Sequence, residues 1–429
     1  PSDAVLGAPS WCVVRAEDAH GNPAASYRGT VNLASTDPAA QLPEPLTFTE
    51  SDAGVKRVEG VLFATKGFQR LRAADGDFSA TSNPARIAET LPARRHLWGD
   101  LHGHTIHSDG RGTIEEYYDF AEHVSALDFC AASDHAFEIT DAMWTVSKRV
   151  TNARNRDGRF VTFNAYEWSG KSDVGGDHNV YWLDDDPPIY RSMSYYNPRN
   201  LQMAHDTASK APHIEDLFTK LHTHRTGKNV FCIPHRGGRA GNPEWHDPEL
   251  QRLIEVYCEH FRSMDWGGQF LDRGYRLGVI GSSDDHYGNP GYGFLKPERK
   301  ELIGEGLLAV LAGDHTREAI FTALYDRHCY ATTGDRIFLE FAVNGHLMGS
   351  ECTTDGPPRL EMSVAGTTDI VRADFRRNGT VVHSVEGAGT ELALSWEDSA
   401  FKAGEPCFYD VHVVQKNGEE ALSSAVWIA

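Results

Sequence analysis

Five short apolar runs in the middle of this chain each stop at residues able to bind a metal ion, and this recurrence constrains the fold more than any other feature. The first leads into Gly99-Asp-Leu-His-Gly-His-Thr-Ile-His-Ser-Asp-Gly110, where the period of two along an extended strand puts His102 and His104 on one face. Residues 127–132 end in Ser133-Asp-His135, the next run ends in Asn164-Ala-Tyr-Glu167, residues 230–234 end in His235, and residues 279–283 end in Asp284-Asp-His286. A fold that gathers strand ends onto one rim turns five scattered clusters into a single multinuclear metal site.

Helix-length segments lie between these runs. Thr113 is placed to cap a helix over 114–126 with Glu115 and Glu116 in its first turn. A second helix over 214–225 stops at Gly227, and Thr316 caps a third that runs to about Arg327. Strand and helix alternate over roughly 240 residues, the size of an α/β barrel whose chemistry sits at strand ends. Residues 10–87, by contrast, read as short alternating strands between Gly, Asn, Pro and Asp turns, and the same texture returns from Phe338 onward. The expected order is therefore an Ig-like β-sandwich over 1–92, an α/β barrel over 93–337 and a C-terminal β-sandwich over 338–429.

Several function classes are excluded. The 41 Lys and Arg against 61 Asp and Glu leave a net charge of −20, which repels phosphate backbones and argues against a nucleic-acid partner. Even the apolar run 306–313 falls far short of the roughly 20 residues of a membrane helix, so no membrane insertion is expected. The seven cysteines, Cys12, Cys130, Cys232, Cys258, Cys329, Cys352 and Cys407, include no C-x-x-C pair, so neither a zinc ribbon nor a dense disulfide framework is indicated. No serine-hydrolase elbow, P-loop or dinucleotide fingerprint is present. His222-Thr-His224 also spells H-x-H, but on a helix positions two apart point to different faces, so this pair is read as structural. Asp184-Asp-Asp186 precedes Pro187-Pro188 without the spacing of a calcium loop and is read as a solvated turn. The start at Pro1 and the β-sandwich flanks lean towards a periplasmic or extracellular location.

The ordered set H-x-H-T-x-x-S-D-G at 102–110, S-D-H at 133–135, the lone Glu167, P-H at 234–235 and D-x-H at 284–286 resembles the PHP (polymerase and histidinol phosphatase) superfamily over slightly more than half the chain. The flanking β domains resemble those of a less characterised subgroup. The resemblance implies a distorted (β/α)7 TIM-like barrel holding two or three Zn, Mn or Fe ions, and hydrolase activity, commonly on phosphoesters. Carried over by position, His102, His104, Glu167 and Asp284 would hold one ion, and Glu167 would bridge to a second held by His178 and His235. His135 and His286 would hold a third, with Asp109 standing where three-metal members place a further His.

Two cations bridged by a carboxylate acidify a shared water and neutralise charge in the transition state, so hydrolysis by a metal-bridged hydroxide is the expected chemistry. Asp109, His135 and Asp285 are the candidates for orienting groups or moving the proton, with Asp134 as a further orienting residue. Arg236, and behind it Arg239, could clamp an anionic small-molecule substrate. A small phosphoester is the leading expectation. A carboxylic ester, carbamate or amide hydrolase with the same metals is the alternative, and a carbohydrate- or surface-binding protein is a third of another class. Metal identity, oligomeric state and the role of the sandwiches are not specified by the sequence.

Overall fold

The computed structural model describes residues 1–192, 208–258, 260–291 and 306–429. Sheet predominates over helix, and the helices begin where their caps predict. The Thr113 side chain accepts from the Glu116 N–H while the Glu116 carboxylate accepts from the Thr113 N–H, a capping box that starts Ile114–Asp119. The helix then widens into a π-turn over Phe120–Val124 and stops at Ala126, whose φ of +52° is left-handed. Ile214–His224 buries Ile214, Leu217, Phe218 and Leu221, one stripe at helical spacing. Thr316 caps Arg317–Tyr325. A fourth helix, Asp141–Arg154, escapes the sequence reading because only Trp144, Ser147, Val150 and Thr151 are buried, two of them polar.

Residues 1–92 form small sheets. Pro9–Arg15 pairs antiparallel with Val55–Leu62, and Thr30–Ser35 lies between Leu46–Thr47 and Leu71–Asp75. Strand pairing breaks at Arg70: Gly67–Gln69 and Leu71–Asp75 belong to different sheets. The buried Arg70 guanidinium instead donates to the Gly366 carbonyl at 2.8 Å and to Glu391 at 3.1 Å, tying the N-terminal sheets to the C-terminal part.

The middle region departs from the expected barrel. Arg95–Asp100, Phe129–Cys130 and Val161–Thr162 pair in parallel, as do Leu253–Cys258 and Gly278–Gly281. Asn164–Trp168, His178–Trp182 and Val230–Pro234, however, run antiparallel. The sheets therefore do not form one continuous, closed parallel barrel. The reason is local: the link from Trp168 to His178 is shorter than the dozen or more residues a parallel crossover requires, so the chain returns as a hairpin. Single parallel bridges, Gly103 to Asp285, His135 to Glu167 and Cys232 to Gln251, join the ends of these short ladders. Those bridges bring the His102–His104, His135, Glu167 and Asp284–His286 segments side by side.

Beyond them one ladder runs across residue 337 without a break: Leu307–Ala312, Cys329–Thr332, Glu420–Ser423, Cys407–Gln415, Arg359–Arg377 and Phe338–Val343 are successive neighbours. Arg359–Arg377 and Thr380–Glu397 form a long hairpin that turns at Asn378 and Gly379, both with positive φ as a tight two-residue loop requires. Successive residues of Arg95–Asp100 face opposite cores, Leu97 towards the helix Arg317–Tyr325 and Trp98 towards the C-terminal sheet. All seven cysteines are free thiols, and no described helix is long and apolar enough to cross a membrane.

Candidate metal centre

The strand ends converge on Glu167, which is buried. Its Oε2 lies 3.4 Å from His102 Nε2, 3.5 Å from His104 Nε2 and 3.7 Å from His235 Nε2. Its Oε1 faces the other way, 3.1 Å from His135 Nδ1 and 3.2 Å from Arg239 Nη2. Asp284 closes the first set, with Oδ1 at 3.1 Å from His102 Nε2 and 3.2 Å from His104 Nε2. Asp284 adopts a left-handed φ of +56°, a costly backbone state for a residue with a Cβ and one common at functional sites. On the outer side Asp109 Oδ1 is 3.5 Å from both His135 Nε2 and His286 Nε2 and 3.9 Å from His104 Nδ1. His286 donates from Nδ1 to the Asp284 carbonyl at 2.8 Å, which turns Nε2 towards the Asp109 carboxylate.

The surrounding groups hold this arrangement in place. Asp134 accepts from the Thr105 N–H and from the Thr105 and Ser108 hydroxyls, pinning the loop that carries His104. Gly110 is required there, because a Cβ would sit 2.2 Å from the His104 carbonyl oxygen. Buried Asp100 accepts from the N–H groups of His102, Ser283 and Gly291, so it joins the first and last motifs, and burial pushes its pKa up to about 6.

Eight sequence-nominated residues meet in this cluster: His102, His104, Asp109, His135, Glu167, His235, Asp284 and His286. Three others are engaged elsewhere. His178 donates from Nδ1 to the Gly176 carbonyl at 3.0 Å and has Nε2 2.8 Å from Gln251 Nε2, so both ring nitrogens already have neighbours; its predecessor Asp177 joins Glu167 and His235 instead. Arg236 is exposed, donating to Ser263 Oγ and lying over the Phe261 ring, whereas Arg239 reaches both Glu167 and Asp177. Asp285 spends its carboxylate on the N–H groups of Tyr287, Gly288 and Asn289, which makes it a loop-shaping residue. The decoy His222 pairs with Asp247 on the helix surface.

Sequence reasoning missed Glu255, Asp177 and His260. Glu255 is fully buried and meets His102 Nδ1. The one available signal was a single Glu inside an otherwise apolar strand, a position that is costly without a partner. His260 sits just past the same strand, with Nε2 3.3 Å from Asp284 Oδ2.

Burial and mutual charge set the protonation of these groups. Burial disfavours a charge on Glu167, yet the nearby imidazoles, His135 first and then His102 and His235, outweigh it and hold the carboxyl well below its usual range. Asp284 and Asp109 are lowered in the same way, against burial, by His102 and His104 and by His135 and His286 respectively. Burial, followed by His135, depresses His104 to about 4, while Asp109 overcomes burial to raise His286 to about 9. Burial and then Glu167 push Asp177 up to about 7.

These residues fit divalent cations. His102 Nε2, His235 Nε2 and Asp177 Oδ2 are buried without a hydrogen-bond partner, although carboxylate oxygens stand near both imidazoles. Buried polar atoms are normally satisfied, and a shared cation satisfies imidazole and carboxylate together. Ligand atoms of His102, His104 and Glu167 lie within 4.8 Å of one another, as do those of Glu167, Asp177 and His235 and those of His104, Asp109, His135 and His286.

Comparison with known proteins adds little chemistry. Residues 113–242 and 291–365 match a family described as a protein of unknown function, DUF3604. An uncharacterised protein of Chlamydia pneumoniae is 24% identical over 375 residues, covering 77% of this chain and 57% of its own length. Another, from Chlamydia trachomatis serovar D, is 28% identical over 398 residues, covering 81% and 59%. The chain thus spans less than two thirds of either relative. A two-domain protein from Bacteroides vulgatus containing a predicted PHP-like metal-dependent phosphoesterase aligns with 79% of this chain and 96% of its own, at 13% identity and a TM-score of 0.40.

Proposed function

We propose that this chain is a metal-dependent hydrolase acting on a small phosphoester. The observation that carries the reading is that the buried Glu167 belongs to two candidate ligand sets at once, one with His102 and His104 and one with Asp177 and His235. A buried carboxylate shared between two imidazole sets suits bridging two cations, and zinc, manganese and iron all accept such donors. Divalent ions, when bound, would supply an activated water and neutralise the charge that develops on phosphoryl oxygens.

The chain's own residues would do the rest. His102, His104, Glu167 and Asp284 would hold one ion, and Glu167, Asp177 and His235 a second. His135, Asp109 and His286 would form the outer side, where Asp109, with its side chain 50% exposed, is accessible for proton transfer. Arg239, 23% exposed and already beside both carboxylates, would pair with an anionic group of the substrate, a role for which a planar guanidinium is suited. The reading of 93–337 is a distorted (β/α)7 arrangement interrupted by the antiparallel strands at 164–182 and 230–234, with the β-rich parts 1–92 and 338–429 on either side. The single bridges Gly103–Asp285, His135–Glu167 and Cys232–Gln251 give it support.

Carbonyl chemistry is the second reading. Ile106 and Tyr287, 63% and 41% exposed, stand next to the His104 and His286 motifs and would suit an apolar leaving group. A panel of aryl phosphates, acetates and carbamates, assayed after loading with Zn or Mn, separates the two. Cleavage of the phosphate and its loss in Glu167→Gln is the expected result, and cleavage of acetate or carbamate alone would replace phosphoester with carbonyl chemistry.

A further inference from the structure

Resting on the metal-centre reading, we propose that His260 is a capture position through which divalent cations load and leave the outer side of the centre. Three observations support it. Asp284 is two-sided: Oδ1 belongs to His102 and His104, while Oδ2 faces His260 at 3.3 Å. His260 is 43% exposed whereas Asp284 is only 4% exposed, so this imidazole reaches from solvent to a buried carboxylate. Ligand atoms of His260, Asp284 and His286 lie within 4.8 Å of one another, which makes a small two-imidazole, one-carboxylate set at the mouth.

The space beside this set is kept open. A Cβ on Gly237 would lie 2.9 Å from His235 Cε1 and 3.6 Å from Asp284 Oδ2, so the absence of a side chain there preserves the gap between the inner and outer groups. The set also shares its members with tighter ones. His286 belongs both to this set and to the one with His104, Asp109 and His135, its Nε2 lying 3.5 Å from Asp109. Asp284 likewise belongs to the buried set through its other oxygen. A weaker, exposed position that shares its ligands with a stronger, buried one is a step on the path between them.

That role makes a kinetic claim with a defined sign. A ligand used only in transit changes the barrier, so it alters loading and unloading by the same factor and leaves the affinity unchanged. A resident ligand alters affinity, and an incidental His260 to Asp284 contact alters neither rate. Apo-protein mixed with Co²⁺ in stopped flow, read by the visible absorption of the bound ion, tests this without any activity assay. Release into excess chelator gives the reverse rate. His260→Ala should slow both the last loading phase and its release by about tenfold, equivalent to about 1.4 kcal/mol of barrier, at unchanged stoichiometry. His260→Asp, which keeps a ligand atom, should restore both. Unchanged rates in His260→Ala, or a lost equivalent of Co²⁺, would overturn the proposal while leaving the metal centre standing. Failure of the wild type to bind Co²⁺ at all would overturn both.

Discussion

Glu255 meets His102 on the ring nitrogen that faces away from Glu167: Nδ1 lies 3.1 Å from Oε2 and 3.3 Å from Oε1, and both side chains are fully buried. A carboxylate behind an imidazole fixes the tautomer, so that Nε2 is the nitrogen presented to a cation, and raises its basicity. Glu255→Gln should therefore weaken metal binding about 10- to 100-fold in a chain that remains folded. Competition against a chromophoric chelator measures this, and an unchanged affinity would show that the pair only fills space.

Asp177 and His178 are neighbours with different surroundings, and substitution separates them. Asp177→Asn should lower the affinity of the Glu167–His235 position, because Asp177 Oδ2 is buried without a hydrogen-bond partner. His178→Ala should keep the full complement of metal and instead lose about 1–3 kcal/mol of stability, as expected when buried hydrogen-bonding groups lose their partner. Metal content and thermal unfolding of the two variants check the assignment. Loss of an equivalent in His178→Ala would return that residue to the ligand set.

The two arginines should differ in the same way. Arg239→Ala should lower kcat/KM for an anionic substrate by about 10- to 100-fold, the loss of one or two charge-assisted contacts. Arg236→Ala should change it less than about twofold, within the range of an exposed side chain's contribution. Parallel kinetics on one substrate decide this, and equal losses would contradict the placement.

Metal binding should release protons. Without a bound ion, His286 sits beside Asp109 with its pKa raised to about 9 against the opposing effect of burial, so at pH 7 it carries a proton that a cation must displace. Affinity at the outer position should rise with pH until about 9. The sign for stability is opposite. In the metal-free chain the raised pKa stabilises the fold fully below 6.5 and that contribution is lost as pH rises through about 9. Calorimetric titration in buffers of differing ionisation enthalpy counts the released protons, and a pH-independent affinity between 6 and 9 would contradict it.

The parts of the centre readable from sequence were those where local rules suffice. Period-two spacing placed His102 beside His104, strand-end clusters nominated Glu167, His235 and Asp284, and the Thr113 capping box set a helix start. Parts that depend on tertiary pairing were hidden. The sheets depart from the expected α/β barrel at 164–182, where the short link after Trp168 forces a hairpin, and that link length was available to read. His178 fits the family pattern by position, yet its ring nitrogens meet Gly176 and Gln251, the latter set by a bridge 73 residues away. His260 carries no local signature, because its place 3.3 Å from Asp284 Oδ2 depends on tertiary pairing.

Metal content per chain, measured by inductively coupled plasma mass spectrometry on wild type and on Glu167→Gln purified without added metal, tests the central claim most directly. The account predicts about two or three equivalents in the wild type, falling to about one or fewer in the variant, because a bridging carboxylate serves more than one ion. Less than about half an equivalent in the wild type after reconstitution, or the same content in both proteins, would contradict a centre built on Glu167.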